Sequence, residues 1–196
     1  ETAKVVDGVA FALRRHLARL RRSAGGLRLT VPYTDEELVE AIGAVIHANG
    51  PDTGRLRTTV TGGPGPLGSG RGTVLPTVLI AASAATAWPA STPVVTVPWP
   101  RNEHSAVAGL KTVSYAENVV ALTYAHERGA SEAILANTAG QLCEGTGSNV
   151  FLVHEGRLVT PTLAAGCLGG ITRELVLETS AAVECDVPLE TLVEAE

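Results

Sequence analysis

Residues 109–173 read GLKTVSYAENVVALTYAHERGASEAILANTAGQLCEGTGSNVFLVHEGRLVTPTLAAGCLGGITR, and this stretch decides the fold. Its pattern predicts a helix over about 114–128 that stops at Gly129. Four short strands are then expected, at 133–136, 141–143, 150–154 and 157–160. A last helix is expected to begin at Thr172 and to reach about residue 182.

The residues before this stretch also alternate between strand and helix patterns. Asp7-Gly8 favours a two-residue hairpin turn between two short strands, and leucines at helical spacing from Leu13 predict a helix. Thr34 and Glu37 form a capping-box pattern that starts a second helix. Further strands are expected at 55–61, 74–80 and 93–97.

The length of 196 residues and the hydrophobic content of 45% are sufficient for a real core in one large or two small domains. An irregular segment over 100–108 predicts a domain boundary. We therefore expect a two-domain α/β (α+β) chain, with a smaller N-terminal α/β domain over residues 1–105. Residues 106–196 would form part of a larger C-terminal domain.

Charge and apolar patterning exclude several classes of function. The net charge is −5 and the pI is about 5.6, which argues against binding to nucleic acid or to a membrane surface. No apolar run reaches the roughly 18 residues of a membrane span, and no charged-then-apolar leader opens the sequence. The three cysteines lack metal-ligand spacing, so free thiols are expected. These features predict a cytoplasmic protein with a small-molecule partner.

Lys111 is one of only two lysines among the 15 basic residues. A lysine amine that is shielded and aimed can form a Schiff base with an aldehyde cofactor, and the weakly polar segment AVAGLKTVSYA suits that role. A solvated lysine in a loop is the alternative, and the residue alone leaves both interpretations open.

Two further segments suit a cofactor that carries a pyridine ring and a phosphate. Glu144 precedes the small-residue turn over 145–149, where a carboxylate can keep a pyridine nitrogen protonated. Glycines before Thr172 free backbone N–H groups, and a threonine N-cap there would start a helix whose positive end attracts phosphate. Arg19 could add a cation, although neighbouring arginines suit that role equally well. An exposed glutamate in a turn and an ordinary helix cap are the alternatives.

Arginines of the N-terminal part are candidates for binding substrate carboxylates. Arg55 and Arg57 lie two residues apart on one face of a predicted strand, and Arg71 lies in the glycine-rich loop GGPGPLGSGRG. Polar positions on a half-exposed strand and loop explain them equally well. The five histidines have no metal-ligand spacing, so we expect no metal site.

Five ordered blocks resemble the class IV aminotransferase family, the fold-type IV enzymes that use pyridoxal 5′-phosphate (PLP). The blocks are HLARLRRSA at 16–24, RLRTTVTGG at 55–63, GLKTVSY at 109–115, GASEAILANTAGQLCEGTGSNVFLV at 129–153, and TP at 160–161 with GGITR at 169–173. The family includes branched-chain aminotransferases, D-amino-acid transaminases and 4-amino-4-deoxychorismate lyases. The resemblance implies a two-domain homodimer, of which this chain would lack a segment at each end.

The resemblance implies roles around the cofactor ring. Lys111 would be the catalytic Schiff-base lysine and proton shuttle, and Glu144 would pair with the pyridine nitrogen. Tyr115 would lie near the phenolic oxygen of the cofactor, with Ser148 and Asn149 along the same edge of the ring.

The resemblance also implies roles at the phosphate and at the substrate. Arg19 and the backbone N–H groups of Ile171 and Thr172 would bind the phosphate. Arg57 matches a position that meets the substrate carboxylate in branched-chain enzymes, and Arg71 lies in a loop similar to the glycine-arginine loop of the lyases.

The GSGRG and KTVSYAENV segments are similar to members named 4-amino-4-deoxychorismate lyases, so that reaction, a step of folate biosynthesis, is the first expectation. Lys111 would remove the α-proton, and pyruvate would be expelled to give 4-aminobenzoate. A branched-chain or D-amino-acid transaminase is the alternative; Gly62 replaces an arginine that D-amino-acid transaminases and many lyases carry. A degenerate member that serves as a binding module without cofactor is the second alternative.

Overall fold

The computed structural model of this chain describes residues 1–68 and 70–193. The chain divides into two compact units, Glu1–Trp88 and Pro89–Glu196. Both units combine helices with sheets, which confirms the predicted α/β (α+β) class. The predicted boundary near residues 100–108 concerns the domains of the complete protein and stays a prediction.

The first unit is a four-stranded antiparallel sheet with two helices. The strands follow the spatial order β2-β1-β3-β4, and they are β1 Thr2–Val6, β2 Val9–Ala10, β3 Arg55–Thr61 and β4 Thr77–Ser83. The helices are α1 Leu13–Gly26 and α2 Asp35–Asn49. Asp7 and Gly8 both have positive φ, which is the backbone of a two-residue hairpin turn and confirms the predicted hairpin.

One face of this sheet packs against the helices and forms the core of the unit. Leu56 and Thr58 of β3 are buried on that face, whereas Arg55 and Arg57 are exposed on the other. The apolar core members include Val5, Leu17, Leu20, Leu38, Ile42, Ile46 and Leu56. Strand β4 starts three residues later than predicted, because Thr77 is the first residue paired with β3, opposite Thr61.

The second unit contains two three-stranded sheets and two α-helices. The first sheet has the order β5-β6-β7, with β5 Val94–Thr96, β6 Glu132–Ala136 and β7 Leu142–Gly145. The second has the order β10-β9-β8, with β8 Leu152–His154, β9 Arg157–Thr160 and β10 Val183–Glu184. The helices are α3 Ala116–His126 and α4 Ile171–Thr179, and short 3₁₀ turns lie at Leu163–Ala165 and Leu189–Val193.

Two expectations for the second unit are wrong in their boundaries. Glu144 lies inside β7, paired with Leu135 of β6, so the strand continues past residue 143, where it was predicted to end. Thr172 is not the N-cap of α4, since the cap is Gly170, whose carbonyl accepts a hydrogen bond from Glu174 N at 2.9 Å. Thr172 is therefore the second residue of the helix. The helix ends at Thr179 because Ser180 is already extended, with φ −134° and ψ −179°.

Over residues 1–68 and 70–193, no helix is both long enough and apolar enough to cross a membrane. The same residues contain no group of three or more His, Cys, Asp or Glu side chains placed to hold a metal ion. The three cysteines are free, with Cys143 and Cys167 buried and Cys185 partly exposed.

Candidate active site

Lys111 and Tyr115 form a hydrogen-bonded pair in the second unit. Lys111 Nζ donates to Tyr115 Oη at 3.0 Å and lies 5.7 Å from the centre of the tyrosine ring. Tyr115 is the residue before α3, and its carbonyl accepts from Val119 N at 2.9 Å, so the start of the helix fixes its backbone. The contact places a phenol against the amine, where it can orient the amine and exchange a proton with it.

Glu144 is held in β7 with a side chain that is only 13% exposed. Its Oε2 accepts a hydrogen bond from Leu168 N at 2.9 Å, and its Oε1 lies 3.4 Å from Arg101 Nε. Burial raises the pKa of Glu144, while the Leu168 N–H group and the charges of Arg101 and Lys111 act in the opposite direction. A carboxyl with a raised pKa is well matched to share a proton with a pyridine nitrogen.

The turn after Glu144 is organised around Glu132, a residue that the sequence reasoning did not single out. Glu132 Oε1 accepts from Thr146 N at 3.0 Å and from Thr146 Oγ1 at 2.5 Å. Glu132 Oε2 accepts from Ser148 Oγ at 2.9 Å. The Ser148 hydroxyl, which the resemblance placed along the cofactor ring, is therefore directed at Glu132. Its position as an acidic residue at the start of a buried strand is the only local signal for Glu132.

Arg101 connects the start of α3 with Glu144, and sequence reasoning missed it as well. Its guanidinium donates to Asn118 Oδ1 at 3.2 and 3.3 Å, and Asn118 Nδ2 in turn donates to the carbonyl of Thr146. Among the described residues, buried Arg101 Nε makes no hydrogen bond, and Glu144 Oε1 is its ion-pair partner. Arg101 thus places a positive charge beside the buried carboxyl.

Asn149 lies beside the start of α4. Its Nδ2 donates to the carbonyl of Leu168 at 2.8 Å, and its Oδ1 occupies the space where a Cβ on Gly170 would stand. The resemblance placed Asn149 along the cofactor ring, and the structure shows it holding the loop before the helix. Ile171 and Thr172 are the first two residues of α4, so their N–H groups have no acceptor within the helix. Such N–H groups, at the positive end of the helix dipole, favour an anion such as phosphate.

Arg19 belongs to the first unit and is bound to Glu1. Arg19 Nε donates to Glu1 Oε1 at 3.0 Å and Nη2 to Glu1 Oε2 at 2.7 Å, while His16 Nδ1 lies 2.7 Å from the same Oε2. Burial would raise the pKa of Glu1, but the hydrogen bonds from His16 and Arg19 lower it to about 2. The structure shows Arg19 in a bidentate carboxylate contact, and its role as a phosphate ligand stays a prediction.

Arg57 and Arg71 also lie in the first unit. Arg57 is exposed on β3, two residues from the exposed Arg55. Arg71 Nη1 donates to the carbonyl of Arg28 at 3.0 Å, which tethers the glycine-rich loop. Substrate binding by Arg57 and Arg71 stays a prediction.

Three groups of the second unit match the chemistry of PLP. Lys111 carries an amine that suits an aldehyde, Glu144 a buried carboxyl that suits a pyridine nitrogen, and the start of α4 N–H groups that suit a phosphate. That these residues bind the cofactor stays a prediction. The hydrogen bonds of Glu144 and Asn149 to Leu168 join the carboxyl, the turn and the loop before α4. These groups are of the kind that a PLP enzyme requires.

Comparison with known proteins identifies the family. The sequence model described as "Amino-transferase class IV" matches residues 1–196, so this chain belongs to the class IV aminotransferase family. A D-alanine aminotransferase from Listeria monocytogenes is 29% identical over 195 residues, which cover 92% of this chain and 64% of that protein. A branched-chain-amino-acid aminotransferase from Pseudomonas aeruginosa is 30% identical over 180 residues, or 87% of this chain and 58% of that protein. This chain thus spans 58–64% of these relatives.

A solved structure supplies the link to the cofactor. The T.th. branched-chain amino acid aminotransferase, complexed with N-(5′-phosphopyridoxyl)-L-glutamate, is 26% identical with a TM-score of 0.87, over 100% of this chain and 68% of that chain. The match confirms the fold-type IV architecture, and PLP is the cofactor of this enzyme family. The predicted family is confirmed. The particular reaction, the homodimer and the cytoplasmic location stay predictions.

Proposed function

We propose that the complete protein is a PLP-dependent aminotransferase that moves the amino group of an amino acid to a 2-oxo acid. The observation that carries this proposal is the 3.0 Å contact between Lys111 Nζ and Tyr115 Oη, in the same unit as the buried Glu144 carboxyl. Bound PLP supplies an electron sink for the pair of electrons that the α-carbon keeps when its proton leaves. The two curated relatives, which act on D-alanine and on branched-chain amino acids by name, support transamination.

Lys111 holds and moves the proton in this proposal. Once its amine is free, Nζ would take the proton from the α-carbon of the substrate and deliver it to the cofactor carbon that keeps the amino group, and water would then release the substrate as a 2-oxo acid. The hydrogen bond to Tyr115 Oη restricts the direction of the amine, which shortens the search for a productive geometry.

Glu144 keeps the ring nitrogen protonated. Its carboxylate would accept the N–H of the ring, while the Leu168 N–H group and Arg101 fix the carboxylate from its other sides. Removal of the negative charge of Glu144 would make the cofactor ring a weaker electron acceptor, and the rate of proton removal by Lys111 would fall.

The start of α4 and the arginines of the first unit bind anionic groups. The Ile171 and Thr172 N–H groups receive the phosphate, and we retain Arg19 as a second phosphate ligand. Arg57 and Arg71 bind substrate carboxylate. Arg55 lies directly opposite Lys4 in the sheet, and both are exposed, so the face that carries Arg57 has a concentration of positive charge.

Elimination of pyruvate from 4-amino-4-deoxychorismate is the second candidate function. The glycine-rich loop that carries Arg71 is similar to the glycine-arginine loop of such lyases. The hydrogen bond from Arg71 to the Arg28 carbonyl attaches this loop to the segment after α1. Both reactions share proton removal by Lys111. They differ in whether the substrate then loses pyruvate or its amino group.

The experiment uses the full-length protein incubated with PLP. We expect a visible absorbance band that borohydride abolishes and that Lys111→Ala lacks, together with glutamate formation from 2-oxoglutarate and an amino acid donor. Separate assays with D-alanine and with L-leucine identify the donor class. Pyruvate from aminodeoxychorismate, without glutamate in the first assay, would replace transamination with the lyase reaction. A protein that stays colourless with PLP would support the non-catalytic module instead.

A further inference from the structure

The Glu132 carboxylate accepts four hydrogen bonds, which fills its acceptor capacity. It is the first residue of β6, it is partly buried, and it accepts from Ala133 N, Thr146 N, Thr146 Oγ1 and Ser148 Oγ at 2.5–3.0 Å. Three of these four donors belong to the turn that directly follows Glu144. Hydrogen bonds to an ionised acceptor are about twice as strong as neutral ones, so this carboxylate is the main anchor of the turn.

The absence of a side chain at Gly145 allows the turn to approach Glu132 closely. A Cβ on Gly145 would overlap Ser148 Oγ and would lie 3.1 Å from both Glu132 Cδ and Oε2. Gly145 N also donates to the Ser148 carbonyl at 2.8 Å. Only a residue without a side chain fits between the carboxylate and the hydroxyl that it binds.

The strand pairing alone does not fix the position of Glu144. The ladder between β6 and β7 shifts register between Leu135 and Ala136, and Leu135 is the partner of Glu144. An irregularity at this place loosens the relation between strand register and side-chain direction. The contacts of Glu132 lie on the other side of Glu144 along the chain and supply the missing constraint.

We propose that Glu132 is a positioning residue for the cofactor: by binding Thr146 and Ser148 it fixes the end of β7, and so the place and direction of Glu144. The inference rests on the proposed PLP-dependent function. Glu132 itself touches no cofactor in this scheme, and Ser148 serves it as a donor rather than as a ring contact.

The negative charge of Glu132 has a second effect, on the pKa of Glu144. Glu132 lies close enough to Glu144 that its negative charge raises the pKa of Glu144, in opposition to Arg101 and Lys111. A negative charge near a proton-bearing group raises the pKa of that group, so replacement of Glu132 by a neutral residue should lower the pH midpoint of any proton transfer that the bound cofactor reports.

The test measures PLP binding by the full-length protein and its Glu132→Gln variant. We expect the dissociation constant for PLP to rise about tenfold or more, because a charge-assisted anchor of the pairing carboxyl is lost. The pH midpoint of the absorbance band of bound PLP should move downward. The thermal midpoint of the cofactor-free protein serves to separate this effect from a general loss of structure.

Glu127→Gln is the matched control. It makes the same chemical change five residues earlier, at an exposed carboxylate that lies 3.7 Å from Arg128 and outside the turn. Ser148→Ala and Thr146→Val each remove one hydroxyl donor but keep the Glu132 charge. Both variants should weaken PLP binding without moving the pH midpoint. Thr146→Ser keeps the hydroxyl donor and should bind PLP as tightly as the wild type does.

An unchanged dissociation constant in a folded Glu132→Gln protein would overturn the inference alone. If that variant does not fold, Ser148→Ala and Thr146→Val decide: weaker PLP binding by these variants supports the inference, and binding equal to that of the wild type overturns it. A wild-type protein that binds no PLP would overturn the proposed function together with this inference.

Discussion

At the scale of single residues, Gly145 and Gly147 differ in the space available for a side chain. Gly145 has no room for a Cβ beside Ser148 Oγ, whereas a Cβ on Gly147 would meet nothing within 4 Å. We therefore expect Gly145→Ala to lower the free energy of unfolding by about 1–3 kcal/mol and to weaken PLP binding, as overpacking of a filled site does. Gly147→Ala should leave both quantities close to the wild-type values. Urea unfolding and PLP titration of the two variants give the comparison, and equal behaviour would contradict the packing described.

We expect the free energy of unfolding to depend on pH through the Glu1 carboxylate. Its pKa is lowered to about 2 because the hydrogen bonds from His16 and Arg19 outweigh the effect of burial. The ionised form is therefore the one that the folded state favours, and its contribution is complete above the ordinary pKa near 4.5 and is lost as the pH falls towards 2. The full contribution is at most about 3 kcal/mol.

The measurement is urea unfolding of the wild type and of Glu1→Gln from pH 6 to pH 2. The stability difference between them should shrink over the lower part of this range. Glu36→Gln, at an exposed position of α2, is the control and should show no such trend. A constant difference across the range would show that Glu1 is not ionised in its contact with Arg19.

Residues differ in how far their role can be predicted from sequence. Lys111 could be singled out because lysine is scarce in this chain, and Glu144 because it precedes a turn of small residues. Glu132 could not, because three of its four donors lie 14 and 16 residues further along and reach it only when β6 and β7 pair. Arg101 was missed for the same reason, since its partners come from α3 and β7.

At the scale of elements, the two helix starts in which a threonine was predicted to be the cap gave different outcomes. Thr34 caps α2, with its Oγ1 accepting from Glu37 N at 3.2 Å and Glu37 Oε2 accepting from Thr34 N at 2.7 Å. This motif is local, so the sequence was sufficient to predict it. The cap of α4 is Gly170 instead of Thr172, and Asn149 Oδ1, from a distant part of the chain, leaves no room for a Cβ at Gly170.

This difference gives a paired prediction for helix stability. Thr34→Ala should lower the free energy of unfolding by about 1 kcal/mol, the usual cost of a lost N-cap hydrogen bond. Thr172→Ala should change it by less than about 0.5 kcal/mol, because Thr172 is exposed and makes no cap hydrogen bond. Chemical denaturation of the cofactor-free protein is the measurement. A larger loss for Thr172→Ala would mean that its hydroxyl caps the helix after all.

At the scale of the whole molecule, each of the two units has apolar residues of its own at its centre. The first unit uses the leucines and isoleucines of its two helices. The second unit has a cluster of small residues around Ala121, Ala125 and Ala133, and another around Leu142 and Val159. Between the regular elements of the units, residues 84–93 are exposed and have no strand or helix.

We expect limited proteolysis to act first on this exposed segment. Elastase cleaves after small residues such as Ala87 and Ala90, so it should release two fragments close to the two units before it degrades either. Trypsin is the control, because residues 72–100 contain no lysine or arginine. Gel electrophoresis with mass determination identifies the fragments. Initial elastase cleavage inside β3 or β6 would contradict the division into compact units.

The sequence was sufficient to predict the class of fold and the family, because the five blocks that carry the resemblance are distributed over both units and keep their order. The limits of β4, β7 and α4 were not predictable to the residue. They depend on which residues pair across strands, such as Thr61 with Thr77, and on contacts such as that of Asn149 with the loop before α4. The choice between transamination and pyruvate elimination requires the assays described above.

The buried thiols allow local opening of the structure to be measured by alkylation. Cys143 lies directly before Glu144, and its side chain is fully buried. Burial raises the pKa of the Cys143 thiol, and it raises that of Cys167 to about 11. An alkylating reagent at pH 8 therefore reacts with Cys143 only while β7 is open, and partly exposed Cys185 serves as the internal standard. The rate at which mass is added at Cys143 measures how often the strand that carries Glu144 leaves its place, and bound cofactor should slow that rate.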